Sequence, residues 1–197
     1  MSGESAEGVA PRPVESAVIV PVLQADALLR AWKPRWEPPA PVGIPACVTI
    51  AYPFLSPDEL GPDTLSGLAE IFAAQPPLAI RLAGVARWPG LVVVQPEPAE
   101  PFIALAEQVH ARFPSSMTPG ADAGSLVPHL TALRSPDDVL LDEAATTLAE
   151  RLPLAVSVAE AWLVQATGGT RAWLVEGATG AERWTLRMRF PLGVNRY

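Results

Sequence analysis

The chain has 197 residues, 49% of them apolar, and a formal charge of −7. That length can bury one substantial core, and the acidic balance excludes a general binder of duplex DNA, whose affinity comes from neutralising phosphates. One cysteine excludes an internal disulfide and points to a reducing, cytoplasmic setting, and no stretch approaches the roughly 18 to 20 uninterrupted apolar residues of a membrane span.

Residues 1–14, MSGESAEGVAPRPV, lack a basic start followed by an apolar run, so they read as a disordered leader rather than a secretory signal. Residues 15–197 are expected to form the folded domain. Val14 to Val22 is β-rich and short, which predicts a strand. Leu23 to Trp32 carries Leu28, Leu29 and Trp32 at helical spacing and stops at Pro34, a short helix. A proline-rich loop over 38–45 leads to a second strand, Ala46 to Phe54. Ser56-Pro57-Asp58-Glu59 has the form of a capping box, and helical spacing runs on to about Ala74 with a break at Gly61-Pro62. Leu78 to Trp88 and Leu91 to Gln95 flank Pro89-Gly90, a hairpin. Pro101 opens a helix whose apolar stripe is Phe102, Leu105, Ala106, Val109 and Phe113, and 114–125 is a polar loop. Val127 to Leu133 predicts a strand. Asp137 to Leu152 predicts a helix with Leu141, Ala144, Leu148 and Leu152 on one face. Three strands close the chain: 154–166, 171–176 and 182–190, the first two joined at Gly168-Gly169. In the last, Trp184, Leu186, Met188 and Phe190 alternate with Arg183, Thr185, Arg187 and Arg189. Strands joined by hairpins and interleaved with helices indicate an α+β class with largely antiparallel sheet.

Two short stretches carry the chemistry. In IPACVTIAYPF a strand would put Cys47 and Thr49 on one face, with Val48 and Ile50 packing inward; in VPHLTAL it would put His129 and Thr131 opposite Leu130. Each offers a hydroxyl beside a group able to move a proton. Facing one another across a groove, two such strands make a phosphate site: threonines hold non-bridging oxygens, and the second group serves as acid or base at phosphorus. Histidine suits that role because its pKa lies near neutrality.

PACVTIAYPFL followed by VPHLTAL, with GVARWPGLVVVQPEPAEPFIALAEQVHARFP between them and AWLVQATGGTRAWLVEGATGAERWTLRMRFPLG after them, resembles the 2H phosphoesterase superfamily in its 2′-5′ RNA ligase branch, over about residues 15 to 192. The resemblance implies a bilobal fold: two antiparallel sheets with flanking helices around a central groove. It also implies metal-independent work on 2′,3′-cyclic or 2′-5′-linked phosphodiesters of nucleotides or RNA ends. A monomer that needs no cofactor is expected. Thr49, His129 and Thr131 match the family's functional positions. Cys47 stands where the first histidine is expected and does not match.

A thiol, with an ordinary pKa of about 8.5, is mostly protonated at neutral pH. It can donate a proton but is in the wrong form to accept one unless cations lower its pKa. Tyr52 and Phe54 are candidates to stack on a base, and Arg87 to reach a phosphate, although core packing and a solvated arginine are the plainer readings of these three. His110 is read as structural. No His, Cys or acidic pair has metal-ligand spacing. A weakened phosphodiesterase, a catalytically degenerate protein that binds nucleotide or RNA-end phosphate, and a scaffold that reuses the fold all fit the sequence.

Overall fold

The structure, a computed structural model, describes residues 15–36, 42–116, 126–167 and 183–193. Among them are eight strands and four α-helices. The strands are β1 (Ser16–Pro21), β2 (Cys47–Ala51), β3 (Leu78–Trp88), β4 (Leu91–Glu97), β5 (Leu130–Arg134), β6 (Leu154–Val158), β7 (Glu160–Thr167) and β8 (Arg183–Pro191). The helices are α1 (Asp26–Leu29), α2 (Pro62–Ala74), α3 (Glu100–Arg112) and α4 (Asp138–Ala149). None is long and apolar enough to cross a membrane.

The strands form two four-stranded sheets, in the orders β2-β1-β7-β8 and β5-β4-β3-β6, and every strand pair in them is antiparallel. The two candidate motif strands, β2 and β5, are edge strands, and they touch one another. Helices cover one face of both sheets: α4 lies on β3, β4 and β5, α3 on β2, and α2 on β8. A single apolar core fills the space beneath them, drawing Val18, Val20, Val48 and Ile50 from the first sheet and Leu82, Val92, Val94 and Leu130 from the second. The opposite faces form the groove side.

Local signals in the sequence account for much of this. Ser56 and Glu59 complete a reciprocal capping box, with Glu59 Oε2 accepting from the Ser56 backbone N–H at 3.0 Å. The box closes a 3₁₀ turn, and α2 begins afresh at Pro62, where the proline has no N–H to leave unpaired. The whole stripe Phe102, Leu105, Ala106, Val109 and Phe113 is buried. Asp137 caps α4, its carboxylate accepting from the N–H groups of Val139 and Leu140.

Four elements differ from those the sequence predicts. The segment from 154 to 166 is two strands, not one: β6 pairs with β3 in the second sheet, β7 with β1 and β8 in the first, and the chain changes sheets at Ala159. The 23–32 helix is a 3₁₀ turn followed by the single turn α1. Leu152 lies beyond the end of α4. In β8 the alternation is broken: a register shift between Leu163 and Val164 sets Leu163 against Met188 and Val164 against Leu186. Trp184 therefore packs in a second cluster on the groove side, whereas Phe190 enters the main core. The strand expected over 171–176 and its turn at Gly168-Gly169, the leader, and most of the 114–125 loop lie outside the described residues.

The chain leading into β2 runs across the groove side of the first sheet. Val42 bridges to Arg183 of β8, and the Trp184 N–H donates to the Val42 carbonyl at 2.8 Å. Gly43 there has φ +94°, and a Cβ would fall 2.2 Å from the Trp184 carbonyl oxygen. Only glycine fits this crossing. It lays Ile44 over Ala17, Ile19, Trp162 and Trp184, the second apolar cluster.

Candidate functional site

Strand register decides what reaches the groove. In β2, Ile19 opposes Thr49 and Pro21 opposes Cys47, while Val20 opposes Val48 in the core. Cys47 and Thr49 thus share the groove face, as the alternation predicts, and both are half-buried. In β5, Leu130 faces the core, which leaves half-buried Thr131 on the groove side beside Val93 of β4. His129 lies one residue before β5 rather than within the strand. Its ring is anchored at both ends. Nδ1 is 2.8 Å from the Val127 carbonyl oxygen; a carbonyl only accepts, so Nδ1 carries the proton and Nε2 keeps its lone pair. The ring also meets Trp88 edge-on at 4.5 Å.

The electrostatics of the two halves differ. Partial burial lowers the His129 pKa from its ordinary 6.5, partly opposed by the hydrogen bond to Val127. The ring is neutral at pH 7. Burial pushes the Cys47 thiol up to about 12; Lys33 nearby lowers it and Asp26 raises it by smaller amounts. Cys47 packs against the edge of the cluster containing Ile44 and Trp162, so its thiol stays protonated throughout the physiological range. It can donate a proton but is no base.

The substrate-contact candidates divide. Tyr52 is on the groove side: its hydroxyl donates to the Glu15 carboxylate, and its ring lies 6.0 Å from Trp184. Phe54 is 2% exposed and packs edge-on against Phe113 in the core at 5.4 Å, so it has no face to offer a base. Arg87 is on the helix face. Its guanidinium is held by Asp138 at 2.8 Å and Asp142 at 2.9 Å, both on α4. The reason is a register shift between Leu82 and Gly84. It reverses the alternation set by Leu78, Ile80 and Leu82, and Arg87 follows Val85 to the core side, opposite Val92.

Another arginine, not singled out in the sequence, lies on the face expected for Arg87. A second shift, between Val92 and Val93, sets Leu133 against Val92 in the core and Arg134 against Leu91. Leu91 in turn opposes Trp88. Half-buried Arg134 therefore shares a face with Trp88 and Thr131. Even spacing from Thr131 points to Leu133 instead, and only the bulge reveals the arginine. Among the described residues, no group of three His, Cys, Asp or Glu side chains could hold a metal ion.

The family model described as the 2′-5′ RNA ligase superfamily matches residues 20–170, which include both motif strands. The chain belongs to the 2′-5′ RNA ligase superfamily. Solved structures agree on the fold of the superfamily. A protein from Thermus thermophilus, TT0787, is 21% identical with a TM-score of 0.60, over 92% of this chain and 98% of its own. Escherichia coli LigT crystallised with 3′-AMP is 18% identical with a TM-score of 0.56, over 92% of this chain and 99% of its own. LigT has also been crystallised with ATP, at 18% identity, a TM-score of 0.53 and coverage of 92% and 99%. No curated protein sequence is similar enough to count as a relative.

Proposed function

We propose that the chain is a weak, metal-independent phosphodiesterase that acts on 2′,3′-cyclic or 2′-5′-linked phosphates of small nucleotides or RNA ends, as a monomeric cytoplasmic protein with one bilobal domain. The observation that carries this reading is the anchored His129, with a free Nε2 lone pair, beside Thr131 on an edge strand that touches the strand of Thr49 and Cys47. The hydroxyls of Thr49 and Thr131 donate to the non-bridging oxygens, and the Arg134 guanidinium offsets their charge. Water attacks phosphorus and gives its proton to His129 Nε2 as the phosphorus–oxygen bond to the ribose breaks. The departing alkoxide takes the Cys47 proton, or one from solvent. The imidazolium proton then restores the thiol or is lost to water.

LigT relatives crystallised with 3′-AMP and ATP support nucleotides as the ligand class. A purely binding role is the second reading, favoured by the neutral thiol and its apolar packing. The two separate by incubating the protein with adenosine 2′,3′-cyclic phosphate and a 2′-5′-linked dinucleotide. Slow, linear product formation from at least one is expected. A bound but unchanged nucleotide in both cases leaves only the binder.

A further inference from the structure

An open pocket of about 420 Å³ adjoins the Cys47 end of the groove. Its lining includes Arg30, Lys33, Ile44, Pro45 and Trp162, with Asp26 and Gly43 completing it. Pro21 at the end of β1 opposes Cys47, Cys47 packs against the apolar cluster to which Ile44 and Trp162 of the pocket belong, and Lys33 and Asp26 of the pocket are near enough to act on its thiol. The pocket and the motif strand thus share a wall. The Asp26 carboxylate is already committed: its Oδ1 accepts from Lys33 Nζ at 3.1 Å and from the Ala46 N–H at 2.8 Å. Arg30 has no ion-pair partner among the described residues. The balance of the pocket is one positive charge, on a chain whose total is −7. Trp162, 8% exposed, is covered by the Arg189 guanidinium 5.0 Å from its ring, and with Ile44 it gives the pocket an apolar wall. A charge beside such a wall acts through a lower dielectric than one surrounded by water.

We propose that this pocket is a second anion subsite, which takes a phosphate of the ligand other than the one lying between Thr49 and Thr131. The inference rests on the phosphodiester reading of the groove and narrows it. Ligands with two phosphate groups, such as an RNA end with a flanking phosphodiester, are preferred over a nucleoside bearing one. Arg30 recognises the second phosphate, and Lys33 adds its charge while holding Asp26.

The test is calorimetric titration at low ionic strength with adenosine 2′-monophosphate and adenosine 2′,5′-bisphosphate. Wild type is expected to bind the bisphosphate about five- to tenfold more tightly, the scale of one charge-assisted contact at a part-exposed site. That ratio should fall to near one in Arg30→Ala and below one in Arg30→Glu. Equal affinities in wild type, or an advantage that survives both substitutions, overturn the subsite and leave the groove reading standing. Failure of both nucleotides to bind overturns both. An advantage that depends on Arg30, with monophosphate binding indifferent to Thr49→Val and Thr131→Val, keeps the subsite and removes the groove reading.

Discussion

Cys47→His is expected to raise turnover of a 2′,3′-cyclic nucleotide by about 10²-fold or more, since a well-placed general acid or base contributes roughly 10²- to 10⁴-fold. The difference is electrostatic. The thiol, with its pKa pushed up to about 12, is a reluctant donor and no base, whereas an imidazole at the same position on the groove face of β2 exchanges protons near neutrality. Position 47 lies on the face of β2 opposite Val48 and Ile50, so the substitution need not disturb the core behind it. The pH profile should change as well. Wild type is expected to show one rising limb, and Cys47→His a second, falling limb as the new imidazolium loses its proton. A folded variant within threefold of the parent rate would show that position 47 does not face the leaving group.

The second large effect concerns His129. His129→Asn is expected to lower turnover by about 10²- to 10⁴-fold. The asparagine amide can occupy the place of Nδ1 and keep the bond to the Val127 carbonyl, so the local fold survives while the Nε2 lone pair is lost. The sign of the pH dependence follows from the base role. Only the neutral ring accepts a proton, so the wild-type rate rises with pH through an inflection below 6.5, the direction in which burial moves this group, and then stays flat. Cys47, titrating at about 12, introduces no inflection between about pH 7 and 10. A rate that falls with increasing pH across neutrality would make His129 the acid instead, and a rate unchanged in His129→Asn would remove it from the mechanism.

Much of the fold is legible in the sequence, because the relevant physics is local. The Pro89-Gly90 hairpin, the Ser56–Glu59 box and the α3 stripe need only neighbours in sequence. Cys47, Thr49 and Thr131 fall on the groove side by simple alternation. What escapes depends on bulges, which reverse alternation without a residue type that announces them. One at Leu82/Gly84 sends Arg87 to the aspartates of α4, and another at Val92/Val93 turns Arg134 to the face of Thr131. The switch between sheets at Ala159 has no glycine or proline to mark it. Its signal is subtler: β6 alternates between buried and exposed positions, whereas Ala161 to Val164 in β7 are buried without interruption, as befits a strand covered on both faces. Phe54 leaves the groove for a different reason. The partner that claims it, Phe113, is 59 positions away (113 − 54), and no local pattern announces so distant a contact.

The groove claim is tested most directly by titrating adenosine 2′-monophosphate into wild type, Thr49→Val and Thr131→Val. The valines preserve shape and remove one hydroxyl from each sheet. If both threonines hold the same phosphate, each substitution weakens binding by about 10- to 100-fold, the cost of one hydrogen bond to a charged group, and the unfolding temperature of each variant stays close to that of wild type. Binding that ignores both substitutions, or responds to only one strand, would contradict a shared phosphate site between β2 and β5.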